Sequence, residues 1–419
     1  MLPRSVCLVL AWTISALPAF AAGHVLTVGG SNPDFTDIQP AIQAAALGDV
    51  VLVRPGSYSG FLMSGKSVSV IADPPGSVTI NGTVLVQFED ASQPAVVLSG
   101  LHIIAQLGIP LSCAAVGAPI RCVEIEGTAV GLGLPGANIY NCSDVAMTRC
   151  IFRGGTNPNP QYAGGDGLDV GSNSRLALSD CSLHAGAGAI GAYLGTTPLP
   201  PVAGPHGVHV WNGATLFASG TQFRGGAGGD GAAAQCSAGL AAQDGAAGGA
   251  GVFVTPTSHA TLLDCGIAGG TGGAGGTPDA TCGAPGGMHA AAGVAIDGTV
   301  QLPAGLARSL ECASVLRESN TLSLEVRGTP GDLVLLAQSP YGGWSDPAGL
   351  GPLLVGQPAR RTALGTIPAS GVLHADLPIS ELGAGVDART LELQAICRDA
   401  GGQAWRTGVQ ALVLLDSSF

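Results

Sequence analysis

Four short segments recur through the middle of the chain: Gly167-Leu168-Asp169-Val170, Gly207-Val208-His209-Val210, Gly251-Val252-Phe253-Val254 and Gly293-Val294-Ala295-Ile296, spaced by 40, 44 and 42 residues. Eleven residues beyond Val170, Val210 and Val254 stand Cys181, Thr221 and Cys265, and Ile139 leads to Cys150 by the same step. Two residues later the chain is apolar each time, at Phe152, Leu183, Phe223 and Ile267. A constant offset between loops of changing length means that two short strands and the turn between them stack in register on copies of themselves. The chain is therefore expected to wind into a solenoid. Upstream, Leu98–Ile103 and Cys122–Ile125 fit the same place at separations of 22 and 27 residues, which predicts a minimal coil of about 22 residues.

Composition agrees and excludes the rivals. With 67 Gly and 28 Pro among 419 residues, a large helical bundle is ruled out, because both residues break helices. Hydrophobic residues make up 46% and charged ones 11%, too apolar for a disordered chain. Lys66 is the lone lysine and the formal charge is -12, so there is no basic surface for nucleic acid.

Residues 1–21 read as a secretion signal: Arg4, an apolar run from Val6 to Ala16, then Ala19-Phe20-Ala21, the small-x-small pattern at which such signals are cut. No later segment has the length of a membrane span, so a secreted, extracellular or cell-surface location is expected. Ten cysteines remain beyond the signal, none in a C-x2-C pair, which predicts bridges and no metal. Cys236 and Cys282 hold equivalent places in successive insertions and are the first choice for a disulfide. Cys150, Cys181 and Cys265 are expected to form an interior ladder of small groups. Between Gly225 and Ala250, 19 of 26 residues are Gly or Ala, so this stretch reads as a surface loop with no core of its own.

A composition break at Leu302–Ser309 divides the chain. Beyond it, Leu322–Val326 and Leu391–Ile396 alternate with the period of two that marks antiparallel strands, which predicts a small β-sandwich over residues 309–419. Near the start, Thr36-Asp37-Ile38-Gln39 has the form of a capping box. Pro40 suits a first turn, and Ile38, Ile42 and Ala45 share one helical face. This helix is expected to plug the open end of the solenoid. The segment Asp34–Asp73, with Val50–Val53 and Arg54-Pro55-Gly56-Ser57-Tyr58, resembles the opening coil of the pectin-lyase-like superfamily, particularly the pectinesterases. The resemblance implies an all-β, right-handed parallel β-helix over residues 22–308.

If the valines of the repeat point inward, alternation sends Asn138, Asp169, His209 and Phe253 outward as one column, with Tyr140, Gly171, Trp211 and Thr255 beside it. Asp169 and His209 are candidate acid/base residues together with Asp166, and Tyr140 and Trp211 are candidate platforms for sugar rings. Arg153, His184 and Arg224 form a second outward column suited to a uronate-bearing polysaccharide. The polygalacturonase, pectinesterase and pectate-lyase constellations are each incomplete in this chain. No cofactor is predicted; calcium stays open as an option on the thin acid set Asp166, Asp169 and Asp180. The expected role is a carbohydrate-associated binding or structural scaffold with a polysaccharide or cell-envelope glycan as partner, and the alternative is a polysaccharide lyase or glycoside hydrolase.

Overall fold

A computed structural model describes residues 23–87, 94–114, 116–157, 159, 162–379 and 381–419. The expected signal, residues 1–21, lies outside them. A nine-stranded, wholly parallel sheet takes its strands in chain order: Val25–Val28, Val50–Val53, Ser69–Ala72, Val96–Ser99, Ile120–Val123, Val145–Thr148, Arg175–Ser179, Thr215–Ser219 and His259–Leu263. In a fourteen-stranded sheet, two further parallel series meet on the long strand Val78–Gln87. One runs from Leu101–Ala105 to Gly266–Ala268, the other from Leu111–Ala114 to Ile296–Asp297. The chain visits the three series in rotation, an arrangement compatible with a solenoid-like β-helix fold.

Inward residues of all three series fill one core, including Leu98, Ile103, Ile139, Met147, Phe152, Val170, Leu183, Val210 and Phe223. The cysteine ladder lies in it. Strand pairing sets Cys150 beside Cys181, Cys181 beside Thr221 and Thr221 beside Cys265, and the Cys150 N–H reaches the Cys181 sulfur at 3.4 Å. Cys236 and Cys282 form a disulfide, with Cα atoms 5.8 Å apart. The other eight cysteines among the described residues are free thiols, which corrects the expectation of general bridging. Most are buried and serve as small apolar fillers.

Two registers differ from the sequence reading. Ile103 pairs with Gly127, and Gly127 with Phe152, so the early coils are 24 and 25 residues long. The interior slot belongs to Gly127 because the next coil's Phe152 ring fills it: a Cβ there would stand 2.6 Å from Phe152 Cδ1. Matching apolar residues had placed Ile125 in that slot. Downstream, Val252 pairs with Ile296, a step of 44, so the segment at Val294 is displaced by two residues.

The Gly-rich insertions are not loose loops. N–H groups of Gly225, Gly228, Gly231 and Ala234 donate to the carbonyls of Ala268, Thr271, Ala274 and Thr277, and those of Ala185, Gly188 and Gly191 donate to Arg224, Ala227 and Asp230. One bond every third residue is the repeat of polyproline II chains packed side by side. Packing is so close that a Cβ at Gly226 or Gly229 would lie 1.8 Å from the carbonyl oxygen of Gly186 or Ala189. Glycine is thus a steric requirement at these positions, as at the axis of collagen. Gly225, Gly226, Gly228 and Gly229 are buried, which overturns their reading as surface.

The helix spans Ile38–Ala44 and buries Ile38, Ala41 and Ile42. Its N-cap is Asp37, whose side chain accepts from the Ile38 N–H. Gln39 instead exchanges hydrogen bonds with the backbone of Leu62, so the expected capping box does not form.

Beyond residue 308, a three-stranded antiparallel sheet (Ser309–Glu311, Thr321–Arg327, Val372–Pro378) faces a larger mixed sheet that includes Leu333–Ser339, Ala388–Arg398 and Gln410–Leu415. Leu322, Leu324, Val326, Leu336, Leu393 and Leu412 share the core between them. Thr321–Arg327 alternates as expected, but Glu392–Cys397 is buried on both faces. Its outer face, with Ala411, Val413 and Leu415, packs on the nine-stranded sheet at Val50, Leu52, Ile71, Val97, Ala146 and Ala177. This docking explains why residues 50–53 and 96–98 read as unbroken apolar runs, as strands covered on both faces must. At its centre Arg121, fully buried, uses every N–H it has. Nε donates to Glu392 at 3.0 Å, and Nη1 and Nη2 reach Asp144 at 2.8 and 3.1 Å and the carbonyls of Ile120 and Leu354.

Candidate functional site

The outward column forms as the repeat implies. Asn138 pairs with Asp169, Asp169 with His209, and His209 with Phe253, while Val170 and Val210 hold the strands from inside. Beside it Trp211 leans over Gly171, where a Cβ would come within 2.5 Å of the indole. Glycine at this step lets the ring reach Tyr140, 6.1 Å away between centroids. Tyr140 is 43% exposed. The His209 ring lies 6.2 Å from Trp211 and 5.0 Å from Phe253, so the aromatic surface from Tyr140 to Phe253 spans four coils.

Asp166 comes from outside the strand repeat, on the last turn of a Gly-rich insertion. Its Oδ1 accepts from the backbone N–H of His206 at 2.5 Å, which locks the carboxylate toward the column. His209 Nδ1 then lies 3.6 Å from Asp166 Oδ2 and 3.5 Å from Asp169 Oδ1. Burial disfavours the imidazolium, but ion pairing with the Asp166 and Asp169 carboxylates overcomes this and raises the His209 pKa to about 9. Asp169 is pushed up to about 6, first by burial, against the pull of His209 and with the charge of Asp166 adding to the rise. Asp166 is also buried, yet the neighbouring His209 and Asp169 and the bond from the His206 N–H hold it below the usual carboxylate range. His206 stacks on Phe253 at 4.6 Å, accepts from the Ala250 N–H at Nδ1, and is shifted down by burial.

The second column also forms, with Arg153 beside His184 and His184 beside Arg224. Arg153 is ion-paired to Glu126 at 2.5 Å. Burial, then the charges of Arg153 and Arg224, lower the His184 pKa, and its Nε2 lies 2.8 Å from Ser182 Oγ. Asp180 does not join Asp166 and Asp169. Its charged neighbours are Arg149, Glu311 and Arg327, so the acid set considered for calcium is not assembled.

Sequence reasoning missed His206 and Phe253 as walls of the site. Phe253 was visible as a member of the column; His206 stood out only as the centre of Gly204-Pro205-His206-Gly207, an incomplete Gly-His-Gly element with Pro in place of the first Gly. Among the described residues no helix is long and apolar enough to cross a membrane. No protein-family model and no curated protein matches the chain. A solved structure, the superoxide reductase (neelaredoxin) from Ignicoccus hospitalis, aligns over 26% of this chain and 81% of its own at 14% identity; its TM-score of 0.17 carries no argument about fold or activity.

Proposed function

We propose that this chain is a secreted or cell-surface right-handed parallel β-helix of the pectin-lyase-like kind, plugged by the helix Ile38–Ala44, that binds a polysaccharide or cell-envelope glycan along its outward column. The observation that carries the reading is the aromatic path Tyr140–Trp211–His209–Phe253 flanked by Asp169 and Asn138, since sugars are held by ring faces with polar groups at the margin. Arg153, His184 and Arg224 supply cationic groups suited to uronates. The disulfide Cys236–Cys282 is compatible with an extracellular setting.

An enzymatic reading draws on Asp166 and Asp169, one held ionised and the other titrating near 6. Both carboxylates lie within 4.8 Å of each other and of His209, whereas an inverting glycosidase separates its pair by roughly 6.5–9.5 Å to seat a water. This closeness speaks against hydrolysis by inversion and stands nearer the roughly 5–5.5 Å of a retaining pair. A panel of uronate and neutral polysaccharides tests both readings. Saturable affinity without release of reducing or unsaturated ends supports the scaffold; turnover abolished by D169N and H209Q establishes the enzyme; neither binding nor turnover refutes the glycan role.

A further inference from the structure

The three groups at the head of the column have the spacing of a coordination shell. As hydrogen bonds, 3.5 and 3.6 Å between His209 Nδ1 and the two carboxylate oxygens are too long. As edges of a tetrahedron with metal–ligand bonds of about 2.0–2.1 Å they fit, because such an edge measures roughly 3.3–3.4 Å. All three ligand atoms lie within 4.8 Å of one another. An independent observation points the same way: Asp169 Oδ1, the oxygen aimed at His209, is buried and accepts no hydrogen bond. A buried carboxylate oxygen without a hydrogen bond is costly unless a cation serves it, and a metal ion bound between the three groups would do so at shorter range than the His209 ring, 3.5 Å away.

We propose that Asp166 Oδ2, Asp169 Oδ1 and His209 Nδ1 bind one divalent transition-metal ion of the Zn2+ class, leaving a fourth position open. The donor set decides the class. One imidazole nitrogen with two carboxylates suits zinc and its neighbours, whereas calcium needs six to eight oxygens, and here one of the four carboxylate oxygens is already committed to the His206 N–H. That N–H bond is the kind of outer contact that orients metal-binding carboxylates, and His206, Phe253 and Trp211 wall the site as a low-dielectric shell. The side chains keep 16–27% exposure, so a water or a sugar hydroxyl can reach the fourth position.

The test uses tag-free full-length protein with no glycan present, so its outcome is separate from that of the polysaccharide panel. Co2+ serves as the spectroscopic probe, and Zn2+ affinity is read by competition with a chromophoric chelator. One equivalent per chain is expected, with a tetrahedral Co2+ spectrum. H209Q and the near-isosteric D169N should each weaken uptake by more than tenfold, while H289A, which alters an exposed histidine elsewhere, leaves it unchanged. Far-UV circular dichroism confirms that each variant is folded, and anomalous diffraction at the zinc edge places the ion. Absence of uptake by the parent protein, or H209Q and D169N that bind as the parent does, overturns the proposal; should one variant misfold, the other and the diffraction site still decide.

Discussion

Replacing Glu392 with glutamine tests the electrostatic centre of the contact between the C-terminal sheets and the parallel sheet. Glu392 is fully buried. Burial, opposed by Arg121 and reinforced by the charge of Asp144, pushes its pKa up to about 7 from an ordinary 4.5, and its Oε1 has no hydrogen-bond partner. Because the folded-state value is raised, the folded chain holds a proton that the unfolded chain releases between about pH 4.5 and 7. This contribution to stability is full below the unfolded pKa and is lost as pH rises through the folded one. At 1.36 kcal/mol for each unit, the loss amounts to about 3 kcal/mol. Glutamine keeps the shape and cannot titrate, so E392Q should lack this slope. Asp169 and Asp180, both raised to about 6, give slopes of the same sign, so the quantity to measure is the difference between variant and parent. Urea denaturation from pH 4 to 8, followed by tryptophan fluorescence to which Trp405 in the same sheet contributes, supplies it. E392Q should gain on the parent by up to about 3 kcal/mol as the pH climbs to 8. A variant whose stability runs parallel to the parent's across that range refutes the argument.

R121M should be more damaging, by about 3–5 kcal/mol at pH 8, since it strands two buried carboxylates; the same denaturation assay reads it. In the Gly-rich layer, G229A forces a Cβ to within 1.8 Å of the Ala189 carbonyl oxygen and should cost about 2–4 kcal/mol, whereas A233S at an exposed third position should be neutral in a thermal melt. Loss of the Cys236–Cys282 bridge, which closes a separation of 46 residues, should cost about 2–4 kcal/mol, measured with the double serine variant. W211A should lower polysaccharide affinity about tenfold in affinity electrophoresis, as expected for one lost stacking platform.

Alternation and the eleven-residue step were enough to place Asn138, Asp169, His209 and Phe253 in one column and Cys150 beside Cys181, because equivalent residues of adjacent coils touch and so repeat in type. The same logic misplaced Ile125, since a pattern of apolar residues cannot see that an aromatic ring from the next coil fills the space over a glycine. It also read the Gly-Gly-x stretches as loops: their bonds run between successive insertions of the same chain with a period of three, which resembles low complexity when only one segment is in view.

Periodicity in the chain thus carried the winding, the inward and outward faces and one disulfide, all of which depend on contacts between corresponding positions. Folding in three dimensions decided the rest. Asp166 joins Asp169 and His209 only because the His206 backbone turns it inward, and Glu392 meets Arg121 only because a sheet formed 271 residues later covers the parallel one. Such contacts link positions that are not equivalent, so no repeat announces them; they arise from how separately formed surfaces fit together.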